Sequence, residues 1–75
     1  MPSFKVQKIV QIRADQLAYM LPSMARQLDR RKGEVIDTFV PLGKRGQIVK
    51  VRWIARRATE RDVTMEHPEE DLQLA

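Results

Sequence analysis

The chain has 75 residues, 14 basic and 10 acidic side chains, no cysteine and a formal net charge of +4. A chain this short forms one domain with a small core, and the lack of cysteine excludes a disulfide framework and a thiolate metal site. No apolar stretch approaches the roughly 20 residues that cross a bilayer, and the N-terminus lacks a signal-like apolar core. We therefore expect one cytoplasmic domain over residues 1–75, with no membrane partner and an open sheet edge that allows a homodimer.

The charges are unevenly distributed along the chain. Residues 1–58 hold thirteen basic and four acidic residues, whereas residues 59–75 hold one basic and six acidic residues. A basic field of this kind attracts polyanions. We expect a basic body followed by an acidic C-terminal tail at 66–75, which is either loose or docked through Leu72 and Leu74.

The first predicted elements are a strand and an amphipathic helix. Residues 3–13 alternate between apolar and polar side chains, which predicts a half-buried strand. Asp15 is a good N-cap for a helix whose apolar positions recur every three or four residues as far as Leu28. Pro22 interrupts this helix, and because the apolar stripe keeps its phase we expect a kink there, not a second helix that begins at Pro22. Gly33 is the predicted helix stop.

An antiparallel hairpin follows the helix. Residues 34–40 and 47–55 are rich in β-branched side chains and flank the turn residues PLGKRG. Alternation places Trp53 and Val49 on the core face of the second strand, and residues 61–65 are a candidate fourth strand. The predicted fold class is α+β: a small antiparallel sheet in the order β-α-β-β, packed by one kinked amphipathic helix.

The residue types that catalysis requires are scarce. His67 is the only histidine, it precedes Pro68 in a predicted surface loop, and no cysteine is available as a nucleophile. The acidic residues at 66–71 match no calcium-binding loop, and the chain has no glycine-rich phosphate-binding motif. We expect no enzymatic activity, no cofactor and no metal.

The predicted binding site consists of cations on the strands and the hairpin. Clustered Lys and Arg neutralise phosphates and release counterions without needing a special spacing. If the outer strand faces and the hairpin tip share one surface, they grip phosphates and recognise shape instead of reading bases. The predicted nucleic-acid-binding residues are Lys5, Arg13, Lys44, Arg45, Lys50, Arg52, Arg56 and Arg57. The basic triplet at 30–32 is equally explained by the negative end of the helix dipole.

Residues 32–51, KGEVIDTFVPLGKRGQIVKV, resemble the KOW motif of SH3-like barrels in transcription elongation factors and ribosomal proteins. The residues that carry the resemblance are Lys32-Gly33-Glu34, Val35, Gly43, Gly46, Ile48 and Val51. The resemblance implies closing barrel strands within 56–74, and binding to RNA, the ribosome or RNA polymerase through the loop at 41–46. The opening strand and helix are also similar to the start of ribbon-helix-helix DNA regulators.

Taken together, these features favour a non-enzymatic small regulatory protein that binds nucleic acid, DNA or RNA, or a ribonucleoprotein. The alternative is a protein–protein interaction module, such as a small phage or mobile-element inhibitor or adaptor, whose basic patch binds an acidic protein surface. Arginine and tryptophan are frequent interface anchors, so the same residues serve either function.

Overall fold

The computed structural model describes residues 4–43 and 45–75. Its elements are β1 (Ile9–Ile12), α1 (Ala14–Leu17), α2 (Pro22–Leu28), β2 (Gly33–Phe39), β3 (Ile48–Trp53), β4 (Val63–Pro68), a 3-10 turn (Glu69–Asp71) and β5 (Leu72–Leu74). Over these ranges five strands form one antiparallel sheet in the order β4-β3-β2-β1-β5. The predicted α+β class with an antiparallel sheet is confirmed. Neither described helix is long and apolar enough to span a membrane.

The sheet is strongly curled. β4 and β5 lie at opposite ends of the strand order, yet only the 3-10 turn Glu69–Asp71 connects them. Such a turn rises about 2 Å per residue, so the two strand ends lie roughly 8 Å apart. The outer strands of a flat five-stranded sheet would be roughly 19 Å apart. Backbone bonds from Glu69 N to Gln47 O and from Arg13 N to Asp71 O fasten the turn on both sides. The two edges therefore bend towards each other around the core.

Trp53 lies at the centre of the core. The predicted alternation of β3 is confirmed, because Val49, Val51 and Trp53 are all fully buried. Gly33 packs directly beneath them: a Cβ at this position would lie 2.3 Å from Val51 Cγ1 and 2.7 Å from Trp53 Cε3. Gly33 is thus the first residue of β2 and not the predicted helix stop. The lack of a side chain at Gly33 makes room for the indole ring of Trp53.

The N-terminal elements are shorter than predicted. β1 begins at Ile9, because the preceding residues form a turn in which Lys8 N–H donates to Lys5 O and Gln7 has a φ of 76°. The residue before α1 is Arg13, so Asp15 lies in the first turn and is not the N-cap.

The prediction of one kinked helix is wrong. α1 ends at Leu17, and α2 begins with Pro22 as its first residue. Proline lacks the N–H that a helix interior needs, but the first position of a helix leaves that group free. The alternative of a short first helix and a second one at Pro22 is the one that occurs. After α2 the chain enters β2, so the similarity to ribbon-helix-helix regulators does not continue.

The acidic C-terminal segment is part of the sheet and not a loose tail. β5 pairs with β1 through Val10, Gln11 and Ile12, and Leu72 is buried beneath it. Leu74 is 62% exposed and does not anchor the end. His67, predicted in a surface loop, lies in β4 and is 8% exposed.

Candidate functional site

The outer face of the sheet, which the sequence predicts to be basic, places three carboxylates opposite its two predicted cations. The strand register places Lys50 between Asp37 and Glu66. Arg52 faces Glu34 and forms a salt bridge with it at 3.0 Å. Opposite charges on facing strand positions attract each other. The predicted continuous basic surface is therefore not formed across β2, β3 and β4.

The other predicted cations lie on the N-terminal segment and the hairpin loop, outside β2, β3 and β4. Arg13 forms an exposed salt bridge with Asp15 at 3.2 Å. Lys5 is exposed in the N-terminal turn and Arg45 in the loop between β2 and β3. Lys44 lies outside the described residues.

The positive charge is instead concentrated where the end of α2 meets the loop between β3 and β4. Segments 26–32 and 54–62 hold seven basic and three acidic residues, a net charge of +4 that equals that of the whole chain. The remaining residues are therefore neutral in sum. We call these two segments the basic junction.

Arg31 holds the two segments of the basic junction together. Its side chain is buried, with 1% exposure, and its guanidinium donates to four backbone carbonyls at 2.5 to 3.4 Å. These carbonyls belong to Gln27, Trp53, Ile54 and Arg61. The planar guanidinium carries five N–H donors, which is why one side chain can reach α2, the end of β3 and the following loop. A backbone bond from Ile54 N to Lys32 O, at 2.9 Å, runs alongside.

Arg56 makes a second connection at the edge of the same site. Its guanidinium donates to the carbonyls of Asp29, at 2.6 Å, and Arg26, at 3.3 Å. It also forms a salt bridge with Glu60 at 2.5 Å. Hydrogen bonds from the Arg56 side chain and backbone lower the pKa of Glu60 to about 2, and the same side-chain bond raises the pKa of Arg56. Arg56 thus shapes the loop and is not free to bind a ligand.

Five further cations of the basic junction are exposed and take part in no salt bridge within the described ranges. They are Arg26, Arg30, Lys32, Arg57 and Arg61. Their backbones are brought together by the bonds of Arg31 and Arg56, although the two segments are about thirty positions apart in the chain. Cations that stand on two joined segments and form no salt bridge there are suited to phosphate groups.

The structure thus brings only two of the predicted site residues, Arg56 and Arg57, into the basic junction. Arg30 and Lys32 stand in the basic triplet that the helix dipole explains equally well from sequence. Arg26 and Arg61 carry no sequence signal of their own. These two residues can be recognised as part of a basic surface only after the fold places residues 26–32 and 54–62 side by side.

The tip of the β2–β3 hairpin is a second surface feature, and it is more apolar than predicted. Phe39 is 42% exposed, Val40 62% and Leu42 fully exposed. Behind the tip lies a shallow pocket of about 170 Å³, which Arg45 and Glu70 help to line. Contiguous exposed apolar side chains often mark an interaction surface.

The chain matches no protein-family model, no curated protein and no solved structure. In the described part of the chain, no group of three or more His, Asp or Glu side chains is placed to hold a metal ion. The surface chemistry of the basic junction therefore carries the functional argument.

Proposed function

We propose that this protein is a non-enzymatic, cytoplasmic nucleic-acid-binding protein that contacts phosphates through the basic junction. One observation carries the proposal: two segments joined by Arg31 and Arg56 hold the entire net charge of the chain, and five of their cations are exposed and form no salt bridge with any residue that the structure describes. Each neutralised phosphate releases counterions, so clustered cations favour polyanions over single charged groups. Contacts to phosphates fix position and carry little sequence information.

We favour RNA as the ligand because residues 32–51 resemble the KOW motif of SH3-like barrels. One feature is consistent with the closing strands that the resemblance implies within 56–74: β5 returns to pair with β1. The loop at 41–46, which the resemblance implies as the RNA contact, contributes Arg45 but lies outside the basic junction. Our proposal assigns the main phosphate contacts to the junction.

A salt titration tests the proposal. If all five exposed cations of the junction contact phosphates, log affinity should fall with log salt at a slope of about −3.5 for single strands and about −4.5 for duplexes. Between about 50 and 200 mM salt this corresponds to a loss of roughly 100-fold and roughly 500-fold. Absence of binding to RNA or DNA even at about 50 mM salt would refute the proposal.

Paired charge variants locate the contacts. The double variant Arg57→Gln, Arg61→Gln should reduce the single-strand slope by about 1.4, because two phosphate contacts are lost. The matched control is Lys5→Gln, Arg45→Gln, which removes the same charge outside the basic junction and should keep the slope. An equal loss in both variants would show that total charge, and not the junction, governs binding.

A protein-interaction function is the second candidate, and the apolar hairpin tip favours it. Val40 and Leu42 project from the tip with little cover, next to the exposed Arg45. The simplest partner is a second copy of the chain. Concentration-dependent association in sedimentation experiments that disappears in Val40→Ser, Leu42→Ser would support it. Identical monomeric behaviour of both proteins would exclude the tip as a dimer contact.

A further inference from the structure

Arg30 adopts a backbone conformation that ordinarily favours glycine. Its φ is 55°, in the left-handed region, while Asp29 before it has φ −60° and ψ 125°. Arg31 N–H donates to Leu28 O at 3.1 Å. These values describe a type II turn with Arg30 at the third position, where glycine avoids the steric cost of a Cβ. Arginine lacks the short polar side chain that lets asparagine or aspartate relieve this cost, so Arg30 is held here at a cost to the backbone.

The turn holds Arg30 on a rigid base. The carbonyl of Asp29 accepts from Arg56 at 2.6 Å, and the side chain of Arg31 is buried among its four carbonyls. The Arg30 side chain between them is exposed and forms no salt bridge within the described ranges. Fixing the base of a binding side chain in advance lowers the entropy that it loses on binding.

Arg30 borders a pocket of about 280 Å³ whose other polar residues are Asp29, Gln11 and Gln73. Gln11 in β1 and Gln73 in β5 face each other directly in the strand register. The apolar part of the wall comes from Ile12, Ala14 and Leu17. The volume is near the lower end for ligand pockets, which suits a group the size of one base. Carboxamides carry a donor and an acceptor side by side, the pattern that base edges require.

We infer that this pocket is a subsite for one unstacked nucleotide of single-stranded RNA. Arg30 binds its phosphate, and the carboxamides of Gln11 and Gln73 contact the edge of its base. The Asp29 carboxylate accepts a hydrogen bond from the ribose 2′-hydroxyl or an exocyclic amine. Duplex RNA buries its base edges, so it reaches Arg30 but not the two glutamines. This inference rests on the proposed nucleic-acid-binding function.

The first test is Arg30→Gly, with Gln7→Gly as its matched control. Gln7 has a φ of 76° and does not border the pocket, so glycine relieves a similar backbone strain at both positions. Both variants should keep or raise the midpoint of thermal unfolding. Only Arg30→Gly should bind single-stranded RNA at least threefold more weakly, with a salt slope shallower by about 0.7. An unchanged slope in Arg30→Gly would overturn the assignment of Arg30.

The second test separates base contacts from phosphate contacts. In Gln11→Thr, Gln73→Thr the side chains lose their carboxamides but keep a residue type that suits strands. Affinity for an RNA oligonucleotide should fall at least fivefold with an unchanged salt slope, while affinity for its duplex stays the same. Equal effects on single strand and duplex, or no effect on either, would overturn the base subsite. Gln73→Ala, in the exposed last strand, gives the same readout if the double variant does not fold.

These outcomes are distinct from a failure of the proposed function itself. If the wild-type protein binds no nucleic acid, the proposed function and the subsite both fall. If Arg57→Gln, Arg61→Gln weakens binding while the pocket variants do not, the junction stands and the subsite is refuted.

Discussion

Replacing Arg31 by alanine should remove a large part of the stability of the domain. The side chain is 1% exposed and supplies the donors for four carbonyls. Hydrogen bonds to a charged donor contribute about 1.5–3 kcal/mol each, while desolvation of a buried guanidinium costs several kcal/mol. The hydrogen bonds outweigh the desolvation cost, and the substitution would also leave four carbonyls without donors. We therefore expect the free energy of unfolding to fall by roughly 3–5 kcal/mol. A domain of this size has a total stability of roughly 4–11 kcal/mol.

Urea unfolding followed by the fluorescence of Trp53 measures this loss. Arg57→Ala is the control, because its exposed side chain should change the free energy of unfolding by less than about 0.5 kcal/mol. The free energy of unfolding of Arg31→Lys should be closer to that of Arg31→Ala than to that of the wild type, since an ammonium group cannot reproduce the planar set of guanidinium donors. If the free energy of unfolding of Arg31→Ala lies within about 1 kcal/mol of the wild-type value, the four hydrogen bonds are not a major source of stability.

Three further predictions concern the core and the ionisable groups. Gly33→Ala should lower the free energy of unfolding by roughly 1–3 kcal/mol in urea, because the new Cβ would lie 2.3 Å from Val51 Cγ1; equal stability would contradict this packing. Burial lowers the pKa of His67 below 6.5, so its neutral ring, which accepts from Trp53 Nε1 at 3.1 Å, stabilises the fold above pH 6.5 and that contribution is lost as the pH falls. Unfolding measured between about pH 8 and 5 should show a dependence that His67→Gln removes. The pKa of Glu60 is about 2, so the stability that its charged form gives to the fold is present above pH 4.5 and is lost as the pH falls towards 2. A titration midpoint of Glu60 above about pH 4, measured by NMR, would exclude the hydrogen bonds from Arg56.

The hairpin of β2 and β3 could be predicted from sequence because its signal is local. Alternation of apolar residues in β3 places Val49, Val51 and Trp53 on one face, and the structure buries all three. A period of two residues fixes the side of the sheet irrespective of what lies opposite. The α+β class follows from the same kind of pattern.

Residues with more than one physical role could not be assigned in the same way. Pro22 disfavours a helix interior but suits a helix start, and the unbroken apolar stripe does not distinguish the two. Gly33 reads as a helix stop, yet its role is to admit the Trp53 ring, twenty residues away. The pairing of β5 with β1, at the far side of the sheet from β4, depends on a three-residue turn whose position only the fold reveals.

The basic junction could not be predicted from sequence for a related reason. The sequence predicts that Lys50 and Arg52 face outwards, but it does not predict that Asp37, Glu66 and Glu34 are their neighbours across the strands. Only strand register shows that these three carboxylates lie opposite the two cations. Conversely, residues 26–32 and 54–62 look unrelated until Arg31 and Arg56 connect them.

The two structural arginines also explain how the end of a helix can face an anion. The last four carbonyls of a helix lack helical partners and give this end a partial negative charge, which repels phosphate. At the end of α2 each of them is occupied: Arg26 O and Asp29 O by Arg56, Gln27 O by Arg31, and Leu28 O by Arg31 N. Two of the seven cations therefore neutralise the helix end and hold the loop against it, which leaves five for a ligand. All seven are basic residues, six Arg and one Lys, and only their contacts separate Arg31 and Arg56, which build the surface, from the five that form no salt bridge among the residues described.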